Sequence, residues 1–209
     1  MVIRLGSSLG LSPEVVREFT KTMDIRKSEL DQFIEFEQRD LDNFDCISKW
    51  YHYATLELMH VKNFRTDVKW IAKRLNISVS ETKGAIDRLI RLGYIKVNQD
   101  GKWQDLTSGY TTSATNSSQT TVAKKNHQKE IFSKALNAID EYSIDQRSHS
   151  GVTLAVDTKN IDKVRELVKK FRQELLTYLE QSNSEANEVY QLCVAFFPLT
   201  NSEQNIKRD

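Results

Sequence analysis

Between residues 69 and 102 the chain carries Lys69, Lys73, Ser78, Ser80, Lys83, Gly84, Arg88, Arg91, Lys96 and Lys102. The chemistry that this set suits is recognition of a polyanion. An arginine fork bonds guanine or phosphate with two donors, whereas lysine acts as a point charge on phosphate. Serine hydroxyls and free amides at a helix N-terminus also meet phosphate. The charge is local. Residues 62–103 hold 10 basic and 4 acidic side chains, against 7 and 11 in residues 1–61 and 13 and 14 in residues 104–209, although the whole chain nets only +1. A short cationic segment inside a neutral chain is the footprint expected of a phosphate-facing surface. Glu81 and Asp87 oppose it, because they repel phosphate unless neutralised or aimed at cytosine amino groups.

The elements that must position these residues can be read from spacing and punctuation. A helix is expected over 46–62, with Ile47, Trp50, Ala54, Leu58 and Val61 on one face. A short helix over 67–76 starts at Asp67, and the turn Ile77-Ser78-Val79-Ser80 follows. Ser80 is taken as the cap of a helix over 81–92 that Gly93 ends. Strands over 94–98 and 102–106 flank the hairpin pair Asp100-Gly101. Helix, helix, turn, helix and hairpin make up the plan of a winged helix-turn-helix, whose third helix enters the major groove. On that plan Ile71, Leu75, Ile77, Val79, Ile86, Leu89 and Ile90 form the core. Trp50, Trp70 and Trp103 add bulk to it. Glu81, Lys83, Gly84, Asp87, Arg88 and Arg91 point outward, with Lys83 and Arg88 the first choices for DNA contact. Lys96 and Lys102 flank the wing, and Lys69, Lys73 and Arg74 reach the flanking backbone.

The expected fold class is α+β, mostly α. It comprises an N-terminal helical segment (1–45), the winged helix (46–107), a Ser/Thr-rich linker (108–121), a C-terminal domain (122–200) and a polar tail (201–209). The N-terminal segment reads as helices over 13–23 and 27–39, and its opening RLGSSLGLSPEVV resembles the tail of a helix-turn-helix cut short. The C-terminal domain reads as a helix over 122–141, a strand over 151–157, an amphipathic helix over 159–182 and a strand over 188–197. Two strands are too few for a stable sheet. The unit must gain strands elsewhere, cover itself with helices or pair with a second copy; a homodimer through this domain is expected, since two-fold symmetry also suits DNA half-sites.

Other chemistry finds little support. His52, His60, His127 and His149 form no HxxxH or HExxH pattern, and Cys46 and Cys193 form no CxxC pair. The seven glycines are scattered, and no GxSxG elbow occurs. No enzyme activity, metal or cofactor is expected. The cluster Gln146-Arg147-Ser148-His149-Ser150-Gly151 reads first as a turn. Its functional reading is a ligand or subunit contact, with Arg147 for an anion and His149 as a pH-sensitive element. No signal peptide or membrane span is visible, which suggests a cytoplasmic protein without membrane association.

Four segments, FDCISKWYHYATLEL, WIAKRLNISVSETKGAIDRLIRLGYI, QRSHSGVTLAVD and VYQLCVAFFPLT, are similar to a bacterial family described as a domain of unknown function with a winged-helix region. The resemblance spans about residues 44–200 and implies a transcriptional regulator, but it brings no ligand or catalytic residues. The expected function is thus a regulator that binds double-stranded DNA. The alternative is a winged-helix protein-interaction module that does not touch DNA.

Overall fold

The structure, a computed structural model, describes residues 27–107, 118–182 and 185–200. The helix expected over 13–23, most of the Ser/Thr segment and the polar tail lie outside the described residues. The chain divides into two compact units, residues 1–130 and 131–209. The division falls inside a helix rather than at the Ser/Thr segment.

In the first unit, helix α1 (Lys27–Ser48) is followed by α2 (Trp50–Leu58), α3 (Val68–Leu75), α4 (Val79–Arg91) and the antiparallel strands β1 (Ile95–Val97) and β2 (Trp103–Asp105). Helix α5 (Ser118–Glu141) begins in this unit and runs on into the second. Cys46 of α1, Leu56 of α2, Leu89 of α4 and Ile95 of β1 close one buried cluster, against which Met59, Leu92, Tyr94 and Trp103 pack. Leu58, Ile71 and Ala85 are also fully enclosed. Helix α1 runs across the expected boundary at 45/46 and contributes Cys46 to this core.

Local signals set the element ends. The Asp67 carboxylate accepts from the Lys69 and Trp70 amides at 2.7 and 3.1 Å and starts α3. Asn76, in the left-handed region at φ 51°, ends it. The cap of α4 is Ser78, not Ser80. The Ser78 hydroxyl accepts from the Glu81 amide at 3.1 Å, and the Glu81 carboxylate accepts from the Ser78 amide at 2.9 Å. This Ser-x-x-Glu capping box outcompetes the lone serine. Val79 thereby joins the helix and stands exposed, as does Ile90, so neither belongs to the core as expected.

The hairpin turns through Gln99, Asp100 and Gly101, with the Asn98 amide donating to the Lys102 carbonyl at 2.9 Å. Gly101 has φ 76°, the left-handed position that closes a three-residue loop.

The single helix expected over 46–62 is broken. Lys49 is extended (φ −99°, ψ 119°), and the freed Trp50 amide donates to Glu130 of α5 at 3.3 Å. The break turns the inner face of α2, so that His52, Thr55, Leu56 and Leu58 are buried rather than Trp50 and Ala54. Lys49 also pairs with Glu130 at 2.6 Å, and Tyr53 stacks edge-on against His127. These contacts fasten the start of α5 to the first unit.

In the second unit, helix α6 (Ile161–Ser182) follows a short 3-10 turn, Thr158–Asn160. The segments expected as strands, 151–157 and 188–197, form no strand ladder with any described residue. The strand–helix–strand unit is thus present as an order of segments but without a sheet.

Candidate nucleic-acid interface

Thr82, Ala85, Ile86 and Leu89 fix the inner side of α4. At about 100° per residue, Ser80, Lys83, Gly84 and Asp87 then share the opposite side, and all four are exposed. Gly84 lies in mid-helix, and a Cβ built on it would meet nothing within 4 Å. Neither internal packing nor a left-handed backbone calls for glycine there. Lys69 and Lys73 stand one turn apart on α3, and Lys96 projects from the hairpin. With Lys83, all are exposed and form no ion pair among the described residues.

Arg88 and Arg91 do not point outward as the helical spacing suggests. Arg88 Nε meets Asp42 Oδ1 at 3.2 Å, its Nη2 meets Asp45 Oδ2 at 2.8 Å, and its Nη1 donates to His52 Nε2 at 3.0 Å. Arg91 holds Asp42 with two bonds of 2.7 and 2.8 Å. The physical reason is complementarity. The Asp42 side chain is only 3% exposed, and such a carboxylate must be paired to remain charged. Burial pushes its pKa up, but hydrogen bonds from Arg91 and Gln38 and the two arginine charges outweigh this and hold it below the usual carboxylate range. Arg91 keeps 48% of its side chain exposed, so part of its guanidinium still faces solvent; Arg88 keeps 19%.

Sequence reading missed His52, Asp42 and Asp45. The signal was the spacing 38, 42, 45 of polar residues along one side of α1, together with the acidic surplus before residue 62. His52 is fully enclosed. Burial, with the Arg88 charge adding to it, lowers its pKa to about 4. It is therefore neutral at pH 7. Nδ1 donates to the Lys49 carbonyl at 3.2 Å, and Nε2 accepts from Arg88. The same burial pushes the Cys46 thiol up to about 12, which makes it an inert core group.

Two other expected contacts are occupied locally. The Ser78 hydroxyl is consumed by the capping box, which also lowers the pKa of Glu81 through its bonds to Ser78. Lys102 lies 3.3 Å from Asp100 within the hairpin. An open groove beside the hairpin is lined by Phe64, Arg65, Thr66, Asp67, Lys102 and Trp103. Phe64 stacks on both Trp70 and Trp103 at 5.9 Å, so the tryptophans join the turn before α3 to β2 as half-buried bulk.

In the second unit, Arg147 donates to the Tyr142 carbonyl at 3.0 Å and His149 to the Ala135 carbonyl at 2.9 Å. Both bind the end of α5 and make a local turn. Among the described residues no group of three His, Cys, Asp or Glu is placed to hold a metal ion, and no helix is long and apolar enough to cross a membrane.

Fold and site together define a mostly helical α+β protein whose first unit presents one exposed helix and a small hairpin. The chain belongs to the family described as Domain of unknown function (DUF4423), whose family profile matches residues 27–199. No curated protein matches the chain, and no solved structure does.

Proposed function

We propose that the first unit is a winged helix-turn-helix and that the protein is a transcriptional regulator that binds double-stranded DNA as a homodimer. On this reading α4 is the recognition helix, the β1–β2 hairpin is the wing, and α3 flanks the DNA backbone. The observation that carries the reading is the outer side of α4. Ser80 and Lys83 flank Gly84, a helix-interior glycine above which the chain leaves open space. Glycine costs a helix about 1 kcal/mol relative to alanine, and close approach of an external backbone is one use that offsets this. Lys69, Lys73 and Lys96 supply further phosphate contacts. Arg88 has a structural role under this proposal, and Arg91 contributes through its exposed part.

The test is binding of a labelled duplex of about 30 base pairs across a salt series. The expected result is affinity that falls steeply with salt, with Lys83→Ala lowering the slope by about one phosphate equivalent. Absence of salt-dependent binding overturns the proposal, as does insensitivity to both Lys83→Ala and Lys73→Ala. Sequencing of bound genomic fragments then identifies the operator.

A second reading has its own support. Val79, Ile90 and Val97 are exposed on α4 and the hairpin, and Asp87 stands among the cations. A protein-docking module would use that apolar surface. In that case duplex DNA fails to bind while the fold remains intact.

A further inference from the structure

The second unit has almost no interior of its own. Among its described residues only Ile131 is buried, and α6 contains no buried residue at all. Ile161, Val164, Val168 and Leu175 are half-buried, but a second stripe through Leu167, Phe171 and Tyr178 is open to solvent. Val152, Leu154 and Val156 alternate along one segment and are exposed, Val152 to 78%. In the other, Tyr190, Leu192, Val194 and Phe196 are exposed, Tyr190 to 74%. Neither segment makes a backbone ladder bond to a described residue. The residues bounding the first segment, Arg147 and Asp157, have extended backbone angles.

We infer that two copies of this chain complete each other by pairing segments 151–156 and 189–197 across a two-fold axis into one shared sheet, covered by α6 of both copies. The inference deepens the homodimer of the proposed function, and it rests on that reading only for the number of copies.

Three physical arguments favour a second copy as the occupant. The first is area. At roughly 200 Å² for a fully exposed large apolar side chain, the open residues of the two segments and α6 present on the order of 1,500 Å² per chain. Two copies together bring on the order of 3,000 Å², within the roughly 2,000–5,000 Å² that obligate homodimers bury in total. The second is charge. Residues 148–156 and 189–200 contain no Asp, Glu, Lys or Arg, so identical segments meet without repulsion. The third is pattern. Segment 189–197 is apolar on both alternating faces, since Val189, Cys193 and Phe197 accompany Tyr190, Leu192 and Val194. That marks a strand covered on both faces, a cover that the α6 helices of two copies can supply. One chain supplies two such segments and a two-fold partner makes four, enough for a stable sheet.

The experiment uses the purified 209-residue chain without DNA. Light scattering should return twice the 24.2 kDa chain mass. Hydrogen exchange of the same sample should show the amides of 152–156 and 190–196 exchanging about 100-fold more slowly than in an unstructured chain, as ladder bonds require. A monomer at about 10 μM overturns the inference, whatever other protein later binds it. A dimer whose 152–156 and 190–196 amides exchange freely overturns it too, because its contacts lie elsewhere. A monomer that binds duplex DNA sinks this inference and leaves DNA recognition standing; a sheet-paired dimer that ignores DNA does the reverse.

Discussion

Arg91 and Asp42 face each other fork to fork, with Nε to Oδ2 at 2.7 Å and Nη2 to Oδ1 at 2.8 Å. The bond joins the end of α4 to the middle of α1, and Arg88 adds a second tie to the same carboxylate. A buried carboxylate shared by two arginines thus fixes the angle at which α4 presents its outer side.

Removing that carboxylate should both destabilise the fold and release a cation. Asp42→Ala is expected to cost on the order of 2 kcal/mol in urea unfolding. This is below the roughly 3–5 kcal/mol of a fully buried pair, because Arg91 is half exposed. It leaves the Arg91 guanidinium unpaired beside α4 while Arg88 keeps Asp45, so the salt dependence of duplex binding should steepen by about one phosphate equivalent. Unchanged unfolding and an unchanged slope would contradict the role assigned to Asp42.

Gly84→Ala separates stability from recognition. With open space around the position, the added methyl should raise stability by about 0.5–1 kcal/mol through helix propensity. If DNA lies against α4, the same methyl should weaken duplex binding about tenfold, or 1.4 kcal/mol. Thermal unfolding and fluorescence anisotropy on one preparation give both numbers; a stabilised variant with unaltered DNA affinity counts against the interface.

His52 makes stability depend on pH. Its folded pKa of about 4 lies below the ordinary 6.5, so the unfolded chain binds the proton more readily. The contribution is complete above pH 6.5 and is lost as pH falls from there through about 4. The full swing is on the order of 3 kcal/mol. Proton NMR should find the His52 ring neutral at pH 5.5, and urea midpoints should fall between pH 7 and pH 4.5. His52→Gln should flatten that decline, and an equally steep decline in the variant would assign the effect to other groups.

The capping box gives a smaller, local effect. Ser78→Ala removes the hydroxyl that accepts from the Glu81 amide and should cost about 1 kcal/mol. Ser80→Ala should cost a few tenths at most, because Ser80 caps nothing. Paired denaturation curves distinguish the two; equal losses would show that the cap had been misassigned.

The sequence alone determined whatever depends on neighbours in the chain. Asp67 starting α3, the Asp100-Gly101 turn, Gly93 after α4 and the inward Ile71, Leu75, Ile86 and Leu89 follow from hydrogen bonds and periodicities that span a few residues. Even Ser78 was legible as the first residue of Ser-x-x-Glu. Tertiary structure decided which way the long cations turn. Helical spacing puts Arg88 and Arg91 outside, but the enclosed Asp42, 46 and 49 residues away, draws them in, and nothing local to α4 encodes that partner. The break at Lys49, set by Glu130 far along the chain, and the fate of the alternating segments 151–157 and 188–197 belong to the same class. An extended apolar segment becomes a strand only when another backbone supplies its hydrogen bonds, and the described residues of one chain supply none.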